Sequence, residues 1–386
     1  MVICCMRYLT GVVIWALVLQ PIILQPIGAQ RPPDGEARPP IHVRGNVTST
    51  SPSGYTPTQV RHAYGFDLIA SLGLGQTVAL VDAYDDPNIA SDLATFKSTF
   101  GIPTSSCSFQ KVYANGRKPR TDAGWALEIS LDVEWVCAIA PQANILLVEA
   151  ASSRFSDLLT AVDYAKTHAQ VVSMSWGGGD SSSDSTFDTH FVASGITFTA
   201  SSGDSGNGVE YPAASPNVVA VGGTTLTINS DGSYGGETAW SGSGGGVSSF
   251  EVEPSYQSGF NTTGKRGVPD VAYDADPNTG VPVYDTVSYQ GITGWFQVGG
   301  TSAGAPQWAA LFAIANAVRG TNVTMNADVY AAASGSSYAS NYHDITSGSN
   351  GSCGSICMAG TGYDFVTGLG SPRANNLISA LAALKQ

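Results

Sequence analysis

Ser302 lies in the run Gly299-Gly300-Thr301-Ser302-Ala303-Gly304-Ala305-Pro306, ahead of an apolar stretch from Gln307 to Val318. A tight glycine turn opening a buried helix would set the serine hydroxyl beside the helix N-terminus. The backbone N–H groups there lack partners and carry partial positive charge. A nucleophile in that place can attack a carbonyl, and the resulting oxyanion can be held. Taken alone, the run reads equally as a Gly/Ser-rich loop capping an ordinary helix. A serine nucleophile needs a base. The histidines are His42, His62, His168, His190 and His343. None sits in a glycine-flanked or strand-end setting, so each is expected to be structural or on the surface, and a Ser-His-Asp arrangement is not expected. Glu128 and Asp132 are the better candidates. Four residues apart, they share one helix face. Two carboxylates so placed repel unless one holds a proton, and a shared proton raises an apparent pKa into the range a carboxylate base needs. A solvated acidic face is the other reading of such a pair. Here Trp125, Leu127, Leu131, Val133 and Val136 make the helix apolar almost all round, which favours a functional pair. Asp82, at the end of an apolar run, and Asp204, within Ser201-Ser202-Gly203-Asp204-Ser205-Gly206, complete the set.

These residues need elements to hold them. Thr77–Asp82 and Ala143–Glu149 read as short buried strands, as do Val171–Ser175, Ile196–Ala200 and Val218–Val221. Ile89–Phe100, Phe155–His168 and Thr186–Ser194 read as helices between them. The alternation predicts an α/β fold, with a mostly parallel sheet and helices on both faces. Ligands on such sheets bind at the carboxyl ends of strands, which is where Asp82 and the 201–206 segment fall. Residues 229–300 are rich in Gly, Ser and Tyr and read as loops and short strands. Residues 30–56 read as a flexible lead-in.

The chain has 386 residues, a hydrophobic fraction of 43%, only 12% charged residues and a formal net charge of −13. No basic patch is visible, which argues against nucleic-acid binding. Few charges mean few ion pairs to lose in acid. Residues 1–29, with an apolar run from Leu9 to Leu24 ending near Ala29, read as a secretory signal peptide. A membrane anchor is the competing reading. Secretion is therefore expected, with no membrane association after cleavage. Beyond Cys4 and Cys5 remain Cys107, Cys137, Cys353 and Cys357. An even number in a secreted chain suggests two disulfides. Cys107–Cys137 with Cys353–Cys357 is the expected pairing of three, and a zinc site is the alternative.

The order Glu-x-x-x-Asp (Glu128, Asp132), Ser-Gly-Asp-Ser-Gly (Ser202–Gly206) and Gly-Thr-Ser (Gly300–Ser302) resembles that of the sedolisin family of serine-carboxyl peptidases, which share the subtilisin fold. Val171–Gly178, Thr199–Gly206 and Tyr211–Gly223 resemble further family segments, and the likeness runs from about Tyr55 to Pro372. The resemblance implies Ser302 as nucleophile, Glu128 as general base and acid, Asp132 as its support, and a protonated Asp204 as hydrogen-bond donor to the oxyanion. An ionised carboxylate cannot donate, so an acidic working range follows. Asp82 and Trp176 match positions that extend the hydrogen-bond chain beyond Asp132 in some members, and Trp176 reads equally as a pocket wall. The resemblance also implies one Ca2+ in a C-terminal loop, residues 344–364. Asp344 and Asp364 would give carboxylate oxygens, and Ile345, Gly360 and Gly362 backbone carbonyls.

Residues 57–386 are thus expected to form one peptidase domain, a monomer acting on proteins or peptides. The family is normally made with a long N-terminal prodomain. About 27 residues separate the signal from the catalytic part here, which implies unaided folding or a prodomain or inhibitor acting in trans. Gly304 stands where many members have Ser or Thr, a change expected to alter helix capping rather than chemistry. Sequons occur at Asn46, Asn261, Asn322 and Asn350. A catalytically silent binding protein of the same fold is the alternative function.

Overall fold

The computed structural model describes residues 35–45 and 50–384. The signal-peptide expectation, Cys4, Cys5 and Asn46 lie outside them. An eight-stranded sheet forms the centre. Its order runs Tyr234–Ala239, Val219–Ile228, Thr197–Ser201, Val171–Met174, Thr77–Ala83, Asn144–Ala150, Phe109–Tyr113, and Val271–Asp274 also pairs with Val219–Ile228. Only the Tyr234–Ala239 pairing is antiparallel. The expected strands are present to within a residue or two, and Val219–Ile228 extends well past its expected end because it pairs in succession with three neighbours. The strands at the middle of the sheet are buried on both faces, which is why they appear as unbroken Val/Ile/Leu runs.

Two helices carry the proposed chemistry. Ala123–Ile139 begins at Asp122, whose carboxylate accepts from the Gly124 and Trp125 N–H groups at 3.2 and 3.4 Å. Every residue from Trp125 to Ile139 is buried. The Cys107–Cys137 disulfide fixes its last turns to the loop before Phe109–Tyr113. Thr301–Arg319 starts after Gly300, which has φ 117°, and is buried from Thr301 to Asn316. Pro306 withholds the N–H that the Ser302 carbonyl would otherwise accept, and the Ser175 hydroxyl lies 3.4 Å from that carbonyl. Gly304 has a packing role rather than a capping one. A Cβ there would stand 2.8 Å from Val221 Cγ1 and 2.9 Å from Tyr273 Cβ, so any side chain is excluded.

Three regions depart from expectation. Thr186–Ser194 is not an α-helix but parts of two 3₁₀ turns, Asp184–Thr186 and Asp188–Phe191. Side chains there take over backbone duties: Asp184 accepts from the Ser181 N–H and hydroxyl, and Asp188 accepts from Tyr211 and Ser215. Within 229–300, Val281–Tyr289 and Ile292–Gly299 form a long hairpin. It closes at Gln290 and Gly291, with φ 52° and 84°, and glutamine is not the usual residue for the first of these. Part of the lead-in is built into the fold. Glu36 bridges Arg154, Arg38 bridges Gly177, and His42–Val43 is a strand beside Ile292–Gly299.

Among the described residues no helix is long and apolar enough to cross a membrane. The second disulfide, Cys353–Cys357, is also formed. Asn261 and Asn350 are 3% and 4% exposed, so of the described sequons only Asn322 is open to a glycan.

Candidate active site

Four carboxyl groups and one hydroxyl converge from four elements at the carboxyl ends of the sheet strands. Ser302 comes from the first turn of its helix, Glu128 and Asp132 from the middle of theirs, Asp82 from the end of Thr77–Ala83, and Asp204 from the loop after Thr197–Ser201. Ser302, Glu128, Asp132 and Asp82 are fully buried.

Asp204 is anchored through one oxygen. Its Oδ1 accepts from both the N–H and the hydroxyl of Thr301, each at 2.8 Å. Thr301 in turn lies 3.1 Å from the Gly203 N–H, which it accepts. The other oxygen, Oδ2, is turned toward Gly300, where a Cβ would sit 2.5 Å from it. Burial pushes the Asp204 carboxyl well above the usual carboxylate range, against the pull of the two Thr301 hydrogen bonds, and nearby Glu210 adds to the rise. The shift favours the acid form, in which the carboxyl can donate.

Behind Ser302, Glu128 is raised well above its ordinary value, first by burial and then by the charges of Asp132 and Asp82. The Ser302 hydroxyl opposes that rise. Neither Glu128 oxygen accepts a hydrogen bond within the geometric limits of one. Asp132 is raised by burial and by Asp82. The Ser175 hydroxyl lies 2.8 Å from Asp132 Oδ1, nearer than to the Ser302 carbonyl, and favours its charged form. Burial pushes Asp82 up to about 8. Three buried carboxyls with no cation among them must share protons rather than all ionise.

The hydrogen-bond chain from Asp132 through Asp82 to Trp176 is not made. Both Asp82 oxygens lack hydrogen-bond partners, and the Trp176 indole N–H donates to the Val81 carbonyl at 2.8 Å. Trp176 is fully buried and packs edge-to-face on Phe155, as a wall.

The Ser302 hydroxyl donates to the Pro40 carbonyl at 2.7 Å. That same carbonyl oxygen lies where a Cβ on Gly300 would sit 2.2 Å from it, so only glycine permits the approach. The chain's own residues 36–44 therefore run through the site as an extended strand. On one side, the Ala37 N–H donates to the Ser153 carbonyl at 2.8 Å, and Arg38 and Gly177 exchange hydrogen bonds at 3.0 and 3.1 Å. On the other, His42 and Val43 pair with Gly299 and Val298, and the Arg44 N–H donates to the Gln297 carbonyl at 2.9 Å. His42 Nε2 stands 3.3 Å from Asp204 Oδ2, its ring edge-on to Trp240. Burial lowers its pKa. His42 was expected to be structural or on the surface. Its closeness to Asp204 follows from the path of this strand, which no local pattern marks.

In the C-terminal loop, the Gly362 N–H donates to both oxygens of Asp344 at 3.1 and 3.2 Å, and the Gly360 N–H to Asp364 Oδ2 at 3.0 Å. Both carboxylates thus gather on one glycine turn, with buried Ile345 directly following Asp344. The donor set is all oxygen and fits a hard cation.

The model of the Subtilase family matches residues 123–352, more than half of the chain. Kumamolisin of Bacillus sp. (strain MN-32) is 35% identical over 377 residues, covering 86% of this chain and 64% of that protein. Sedolisin of Pseudomonas sp. (strain 101) is 31% identical over 357 residues, covering 82% and 60%. The chain thus spans less than two thirds of the length of these relatives. The solved structure of Pseudomonas sedolisin (serine-carboxyl proteinase) complexed with two molecules of pseudo-iodotyrostatin superposes with a TM-score of 0.75 at 30% identity, over 85% of this chain and 98% of that one. Sharing both the fold and a third of its residues with these proteins, the chain belongs to the subtilase family and, within it, to the subtilisin-like sedolisins.

Proposed function

We propose that the chain is a secreted serine-carboxyl endopeptidase that works at acidic pH. The observation that carries this reading is the 2.7 Å hydrogen bond from Ser302 to a peptide carbonyl beside Asp204. A substrate carbonyl in the same place would be attacked by Ser302 Oγ as Glu128 takes the hydroxyl proton. Asp132 supports Glu128 and shares its proton. The oxyanion accepts a hydrogen bond from the acid form of Asp204, a donor at the point where charge develops. Glu128 then passes its proton to the leaving amine. Water enters, Glu128 activates it, and the acyl-enzyme is hydrolysed to the carboxylic acid and free Ser302.

Acid action follows from Asp204. Once it ionises, the oxyanion would face a negative charge instead of a donor. Asp82 adds to the raised pKa values of the pair, and Trp176 shapes the cleft wall. A Ca2+ held by Asp344, Asp364 and the carbonyls of Ile345, Gly360 and Gly362 would brace the C-terminal loop, and Cys353–Cys357 pins its middle. The test is cleavage of a denatured protein from pH 2 to 8 by wild type, Ser302→Ala and Glu128→Ala. Activity confined to low pH and lost in both variants is expected. Equal activity in wild type and Ser302→Ala would refute the mechanism.

A further inference from the structure

We infer that the cleft is built to cut after proline, in chains with proline also at the preceding position and a small apolar residue two before that, with the bond Pro40–Ile41 of this chain as its first substrate. The inference rests on the proposed peptidase role of Ser302 and adds a substrate class to it.

The strand through the site spans both sides of the Pro40–Ile41 bond and is held by backbone hydrogen bonds at both ends. Its side chains alternate in environment. Ala37 and Pro40 are buried, Pro39 is half-buried, and Glu36 and Arg38 are exposed. The two buried positions, Ala37 and Pro40, are those that a substrate must fill. Ala37 is 2% exposed and belongs to the apolar cluster of Trp176 and Tyr211, with Phe155 packed against it. A larger side chain at that position has no room without displacing this wall.

The two prolines match the centre of the site for a separate reason. Directly after the Arg38 N–H, which donates to the Gly177 carbonyl, Pro39 and Pro40 bring no N–H of their own, so the buried Pro40 position carries no donor that would need a partner. A Pro-Pro pair is also already extended, so little conformational freedom is lost on binding. Cutting is balanced: Ser302 Oγ bonds to the Pro40 carbonyl carbon, the C–N bond to Ile41 breaks, and Glu128 returns the proton to the Ile41 amine. Water then releases Pro40 as a carboxylic acid.

The experiment uses the full chain at pH 4. It combines N-terminal sequencing, a peptide library with mapped cuts, and the peptide Ala-Arg-Pro-Pro-Ile-His-Val-Arg. That peptide is compared with versions carrying Leu or Lys for the second proline, or Phe for Ala. Expected are a new N-terminus at Ile41 in wild type but not in Ser302→Ala, and at least ~10-fold faster cutting after Pro-Pro than in any of the three altered peptides. Library peptides cut elsewhere, while Pro-Pro-Ile stays intact, would overturn the specificity and leave the peptidase reading standing. A chain that cuts nothing and does not react with a serine-directed probe at Ser302 would overturn both.

Discussion

At the scale of residues, the candidate site turns on which carboxyls keep their protons. Asp204 is held by Thr301 through Oδ1 alone, and Oδ2, which faces His42 Nε2 at 3.3 Å, is the oxygen proposed to donate. Asparagine has the same shape, accepts from Thr301 through its carbonyl, and donates through its amide at every pH. Asp204→Asn should therefore retain activity and extend it toward neutral pH, whereas Asp204→Ala should lose on the order of 10²–10³ in kcat. A pH–kcat profile of both variants checks this. A profile for Asp204→Asn that falls at the same pH as wild type would shift the role to another group. The candidates Ser302, Glu128, Asp132 and Asp204 were legible because residue type, spacing and order are local or nearly local properties. The neighbours that stand against them were not. Ser175 beneath Asp132 and His42 beside Asp204 arrive from distant segments, and only the folded path of each segment brings them there.

At the scale of elements, close packing rather than propensity holds the two helices in place. Gly304 lies on the Ser302 helix against Val221 of a central strand and Tyr273 of its neighbour. Gly304→Ser would force a side chain into that contact and should cost about 1–3 kcal/mol, read as a lower thermal midpoint by circular dichroism. An unchanged midpoint would mean that the helix can shift freely. Central strands were legible for the same packing reason, since burial on both faces leaves an unbroken apolar run. The Val281–Tyr289/Ile292–Gly299 hairpin was not, because its turn uses Gln290 in a conformation that usually marks Asn, Asp or Gly. The 184–191 turns were missed because Asp and Ser side chains there satisfy the backbone in place of helix bonds.

At the scale of the whole molecule, buried acids outnumber buried bases among the described residues. Asp86, Asp92 and Asp285 place carboxyl oxygens within 4.8 Å of one another, fully or almost fully buried. Burial is the first cause of every rise: Asp82, Glu149 and Asp285 are pushed up to about 8, and Asp86 to about 6. Their ordinary values are 3.8 for aspartate and 4.5 for glutamate. Between those values and the raised ones, the folded chain binds more protons than the unfolded chain. Stability from these groups is thus complete below about pH 4 and is lost as the pH rises toward 8. The thermal midpoint should fall by on the order of 10 °C from pH 4 to pH 8. A midpoint that rises over that interval would contradict the burial argument. The strand through the cleft adds a kinetic consequence. A segment tethered to its own site competes at an effective concentration in the millimolar range, so outside peptides meet a resident rival until the chain is cut. Cleavage at Pro40–Ile41 would turn one half of that rival into a separate molecule. Dilution would then carry it away, and the gain in translational freedom would make the opening of the cleft a one-way event.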